Sequence, residues 1–144
     1  MEEGIGLFTE IRKKIKDNEV DIRTYSPLTL AYIGDAVYDL AIRSYVVSKG
    51  NTSNNRLHKE ATGYVSAKAQ AKITEVILPL LTEEEAAIYR RGKNSKPSSS
   101  AKNATLSEYM KATGFEALIG YLYLKGEDER LVYIINTGIG VINE

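Results

Sequence analysis

The chain contains no cysteine, which excludes disulfides and thiolate metal sites and suits a reducing cytosol. It also lacks a long apolar run. The longest late uncharged stretch, Leu131 to Asn143, has 13 residues and is too short to span a bilayer as a helix. The opening MEEGIGLFTEIRKKIKDNEV is charged and mixed, unlike a secretory signal. These absences together predict a cytoplasmic protein without a membrane span. An excess of one charge is missing too: 19 Lys+Arg balance 19 Asp+Glu, so net charge by itself argues for no nucleic-acid partner. What is present is a hydrophobic content of 43 % in 144 residues. That is enough for one compact domain, residues 1–144, around a real core.

The neutral total hides two basic segments. From Ala86 to Ser107 there is no acid, but Arg90, Arg91, Lys93, Lys96 and Lys102 are present. From Lys49 to Lys72, five cations (Lys49, Arg56, Lys59, Lys68, Lys72) face one acid, Glu60. The stretch GKNSKPSSSAKN, Gly92 to Asn103, reads as a long loop from its Gly, Pro, Ser and Asn content. Its lysines and flanking arginines make it a candidate phosphate-binding arm, although solvated loops have a similar composition.

The periodicity is all-α. Ser26-Pro27 is a helix start, and Gly50 is the matching stop. Leu57, Ala61, Val65, Ala69, Ile73 and Ile77 recur every four residues, predicting one long amphipathic helix over Asn54–Leu78. Thr82 with Glu85 and Thr105 with Glu108 form capping-box pairs. The first opens a short helix ending at Gly92. After the second, Thr113-Gly114 is a candidate break, and Phe115–Lys125 reads as a helix closed by Gly126. Further helices are expected near Gly4–Asp17 and over Glu127–Ile142.

Two of these helices carry lone carboxylates in apolar surroundings. LAYIGDAVYDL, Leu30 to Leu40, belongs to a helix that is apolar nearly all round, which predicts a central, buried position. Its charges before Lys49 are Asp35, Asp39 and Arg43, at i, i+4 and i+8. Asp39 and Arg43 can pair, which leaves Asp35 without a cation one turn on. FEALIGYLYL has a single charge, Glu116. A glycine stands next to Asp35 (Gly34) and one turn from Glu116 (Gly120). Mid-helix glycine costs about 0.5–1 kcal/mol against alanine and makes sense where two backbones approach closely. The pattern therefore predicts that these helices cross at the glycines and bring Asp35 and Glu116 together. Unpaired carboxylates in a core are costly. A hard divalent cation resolves that cost; so do ion pairs with Arg43, Lys68 or Lys72, and residue pattern leaves both readings open.

LAYIGDAVYDLAI together with TGFEALIGYLYL resembles the two catalytic segments of the ribonuclease III family. RLHKEATGYVSAKAQA (Arg56–Ala71) and RRGKNSKPSSSAKN (Arg90–Asn103) are similar to its mini-ribonuclease III branch, a catalytic domain without an appended double-stranded-RNA-binding domain. The likeness runs from about Ser26 to Lys125. It implies a ribonuclease III-type helical endonuclease domain. It also implies Mg²⁺-dependent hydrolysis of double-stranded RNA to 5′-phosphate and 3′-hydroxyl ends, with Mn²⁺ as a possible substitute. Asp35 and Glu116 would be the catalytic metal ligands. Arg56, Lys68, Lys72, Arg90, Arg91, Lys93, Lys96 and Lys102 would bind RNA, and a homodimer would offer one site per strand. Maturation of a large-subunit ribosomal RNA precursor is the implied task. The chain departs from the larger relatives where they carry further acids: those positions hold Leu28, Ala31 and Thr113 here. His58, the only histidine, reads as an RNA contact or surface residue rather than a general base. The alternatives are a catalytically silent RNA-binding or ribosome-associated module on the same fold, and an all-helical interaction protein with structural ion pairs. Retention of both acids speaks against the first and the basic loop against the second.

Overall fold

Side-chain oxygens start five of the helices. In the computed structural model, which describes residues 6–95 and 104–144, Ser26 Oγ accepts from the Thr29 N–H at 3.1 Å and Pro27 takes the first helical position, opening α2 (Pro27–Val47). Ser53 opens α3 (Asn54–Val65) and Ser66 opens α4 (Ala67–Ile77) in the same way. Reciprocal capping boxes open α5 (Glu83–Lys93) and α6 (Leu106–Lys125). Each such cap is worth about 1 kcal/mol. The shorter α1 (Leu7–Lys14) and the terminal α7 (Asp128–Asn143) begin without one. Gly126 ends α6 in the left-handed conformation, φ 83°, which glycine adopts without a Cβ clash. No strand occurs among the described residues, and none of their helices is long and apolar enough to cross a membrane.

The helix expected over Asn54–Leu78 is two helices. Ser66 is in extended conformation (ψ 155°), and its Oγ takes the Ala69 N–H at 3.2 Å. A continuous helix would have given that N–H to the Val65 carbonyl. The apolar stripe survives the break because both halves pack on the same core. Thr113-Gly114, in contrast, breaks nothing. α6 is continuous, and Gly114 is needed for packing: a Cβ there would lie 2.7 Å from the Tyr89 carbonyl of α5.

α6 is the central element, with Phe115, Ala117, Leu118 and Ile119 fully buried. Around it pack Tyr38 and Ile42 of α2, Ile73 and Ile77 of α4, and Leu131 and Ile134 of α7. Burying each large apolar side chain contributes roughly 1.5–3 kcal/mol. α2 and α6 cross at their glycines. A Cβ on Gly34 would sit 1.8 Å from the Glu116 carbonyl oxygen, and one on Gly120 would sit 1.9 Å from the Leu30 carbonyl oxygen. Only the absence of both side chains allows this approach. α2 is less central than its composition suggests. Leu30, Val37, Tyr38, Ile42 and Val46 face the core, while Leu28, Tyr32, Asp35, Ala36, Leu40, Arg43 and Val47 are exposed along the opposite face.

Candidate active site

The glycine crossing places the next residue of α2, Asp35, against Glu116 of α6. The expectation of two buried acids is corrected on one side: Asp35 is exposed and Glu116 half-buried, because α2 turns one face outward. Burial first, then the charge of Asp35, push the Glu116 carboxyl up to about 8; a hydrogen bond from Gln70 opposes them. Neither acid forms a salt bridge with a described residue. Of the possible partners, Arg43 binds Asp39 at 2.9 Å. Lys68 and Lys72 are exposed and pair with no described acid. The ion-pair reading of Asp35 and Glu116 therefore has no described cation to support it.

Surrounding groups hold Glu116 from behind. Phe115, its neighbour, packs edge-on against Tyr38 with ring centroids 5.0 Å apart, and the Tyr38 hydroxyl donates to the Tyr64 carbonyl at 2.8 Å. Burial raises the Tyr38 phenol, which stays protonated. Gln70 of α4 donates to Glu116 Oε2 at 3.2 Å and to the Val65 carbonyl at 3.0 Å. In the sequence Gln70 stands inside the branch-like segment Arg56–Ala71, but neither charge nor spacing gave it a role there. The available signal was its place: a lone amide three and seven residues before Ile73 and Ile77, on the buried face of an alanine-rich helix.

No group of three or more His, Cys, Asp or Glu side chains able to hold a metal occurs among the described residues. The donor set is a pair of carboxylates. Mg²⁺ tolerates this, since it binds through one or two carboxylates and keeps several waters. A cation between the two acids would also offset the repulsion and burial that oppose their ionisation. The residues thus fit a hydrated hard cation and not a fully protein-built cage. Positions 28, 31 and 113 add nothing: Leu28 and Ala31 have no donor, and Thr113 Oγ1 donates to its own helix, to the Tyr109 carbonyl at 3.0 Å.

Of the cations expected to bind RNA, the described ones lie in three groups, and none of them forms a salt bridge with a described acid. Arg56 lines a depression with Lys49 and Lys59. Lys68 and Lys72 line another, of about 490 Å³, with Lys111. Arg90, Arg91 and Lys93 occupy the last turn of α5. Lys96 and Lys102 lie outside the described residues. His58 is exposed and shares a depression with Asp39 and Arg43.

The Ribonuclease III domain family matches residues 28–127. The chain is 49 % identical over 126 residues to Mini-ribonuclease 3 of Enterococcus faecalis, covering 86 % of this chain and 96 % of that one. It is 51 % identical over 123 residues to Mini-ribonuclease 3 of Thermoanaerobacter, covering 85 % and 87 %. A crystal structure of a Fusobacterium nucleatum protein superposes with a TM-score of 0.77 at 39 % identity, over 85 % of this chain and 98 % of that one. An all-α fold that crosses two acid-bearing helices at glycines is thus the ribonuclease III endonuclease fold. The chain belongs to the ribonuclease III family and, within it, to the mini-ribonuclease III branch. It is a ribonuclease.

Proposed function

We propose that the chain is an endoribonuclease that cuts double-stranded RNA with Mg²⁺ or Mn²⁺ held by Asp35 and Glu116. The observation that carries this reading is the meeting of two carboxylates without a described cation partner at the α2–α6 crossing. A cation bound there supplies Lewis acidity, lowering the pKa of a water and neutralising charge on phosphate oxygens. Asp35, on the exposed face, meets solvent and the incoming phosphate. Glu116, half-buried and tied to Gln70, is the anchored member. Products carry 5′-phosphate and 3′-hydroxyl ends.

A-form RNA is recognised through phosphates and 2′-hydroxyls. Arg56, Lys68, Lys72, Arg90, Arg91 and Lys93, with Lys96 and Lys102, are the residues we assign to that grip. Two strands require two cuts, and a homodimer supplies a site for each. Exposed Leu28, Leu40 and Tyr32 of α2, the last 82 % exposed, support such a partner. Its place is the cytoplasm and its substrate a structured precursor of large-subunit ribosomal RNA; the likeness to Mini-ribonuclease 3 proteins supports this assignment.

Asp35→Asn, assayed on duplex RNA with Mg²⁺, tests the reading. Cleavage is expected to fall roughly a thousandfold, the rate equivalent of about 4 kcal/mol of lost charge stabilisation, while RNA binding and folding persist. Cleavage at the wild-type rate would remove the acid pair from the mechanism.

A further inference from the structure

Gln70 is 1 % exposed, yet its Oε1 has no hydrogen-bond partner among the described residues. Buried amides usually satisfy both ends, and an unpartnered buried acceptor is costly. Its amide nitrogen, in contrast, is fully used, one hydrogen on the Val65 carbonyl and one on Glu116 Oε2. The helix break explains the first bond. Ser66 Oγ caps the Ala69 N–H, so the Val65 carbonyl at the end of α3 is released and Gln70 takes it. Gln70 is thereby held at two points, and its second N–H is aimed at the carboxylate of Glu116. A glutamine placed in this way suits a site that adds a hydrogen-bond donor once it is loaded.

We propose that Gln70 is the positioning residue of the cation site. It fixes the Glu116 carboxylate for the divalent ion, and its free Oε1 accepts a hydrogen bond from a water of the ion's shell. This rests on the reading of Asp35 and Glu116 as the ligands. Groups that orient a metal ligand commonly carry 10–100-fold of metal affinity, although they never touch the metal. The α3–α4 break is then part of the site, since without it the Val65 carbonyl would be engaged in its own helix.

The test measures Mn²⁺ binding by the RNA-free protein at a temperature well below unfolding, for wild type, Gln70→Leu and Asp35→Asn. Gln70→Leu is expected to bind at least about tenfold more weakly, and Asp35→Asn to bind negligibly. Loss in Asp35→Asn with wild-type affinity in Gln70→Leu overturns the Gln70 assignment alone. Equal binding by all three proteins overturns the cation reading, and this assignment with it. A second measurement needs no change at position 70. Gln70 is the only glutamine in the chain, so side-chain ¹⁵N-glutamine labelling gives one amide signal. That signal is expected to shift as Mg²⁺ saturates the wild-type protein and to stay fixed in Asp35→Asn. A signal unmoved by saturating Mg²⁺ in the wild type overturns the proposal, including where Gln70→Leu does not fold.

Discussion

Glu85 is an acid that the fold buries and then satisfies completely. Arg130 reaches it with two bonds, Nε to Oε2 at 2.9 Å and Nη2 to Oε1 at 2.8 Å, and the Thr82 N–H adds a third at 2.9 Å. Burial by itself raises the Glu85 carboxyl, but these donors outweigh it and hold the carboxyl below its ordinary value. Because the folded value is depressed, the stability Glu85 contributes is present above the unfolded glutamate pKa, about 4.3. It is lost as pH falls through the lower folded value. Urea unfolding of the wild type is therefore expected to weaken more steeply below about pH 5 than that of Glu85→Gln; parallel profiles would show that the Arg130 contact does not stabilise the carboxylate. In the sequence Glu85 was legible only as half of a capping box, because nothing local reveals that α7 brings Arg130 to it from 45 residues away. Asp35 and Glu116 were legible as charges in apolar helices, but their unequal exposure depends on which face of α2 is covered. Gln70, being neutral, left no such mark.

Helix-level features divide by whether their cause is local. Caps at Ser26, Thr82 and Thr105 read correctly because the cap, the N-terminal turn and its bond lie within four residues. The Ser66 break did not, since a serine inside an apolar stripe suits a continuous helix equally well, and only the packing of α3 on α2 and of α4 on α6 and α7 selects the kink. Gly114 was ambiguous for a related reason: glycine can stop a helix or let a neighbour approach, and the neighbour, Tyr89, lies on another element. The glycine crossing itself gives a sharp test. Gly34→Ala or Gly120→Ala would place a Cβ under 2 Å from a backbone carbonyl oxygen, which neither rigid helix can relieve. Each is expected to cost about 3 kcal/mol or more in chemical denaturation. Gly63→Ala on α3, with no described atom within 4 Å of the added methyl, is expected to gain about 0.5–1 kcal/mol from helix propensity. Equal effects at both kinds of position would contradict the close crossing.

The whole molecule joins a neutral total charge to a separated one. Nine salt bridges engage cations of the described residues, yet Arg56, Lys68, Lys72, Arg90, Arg91 and Lys93 are in none of them. This was legible as charge patterning, and the pairing that sets these cations apart required the structure. If they grip phosphates, replacing Lys68 and Lys72 by alanine should weaken duplex RNA binding and flatten its dependence on salt. The log–log slope should fall by roughly 0.9 for each phosphate that is no longer neutralised. An unchanged slope would assign those lysines to solvation alone. The central proposal is that a divalent cation held by Asp35 and Glu116 joins α2 to α6. The most direct test is a crystal grown with Mn²⁺ and measured for its anomalous signal. A peak is predicted between Asp35 and Glu116, bonded to an oxygen of each, with water completing its shell. Density placing Mn²⁺ elsewhere, or none at this pair at saturating Mn²⁺, would contradict the account.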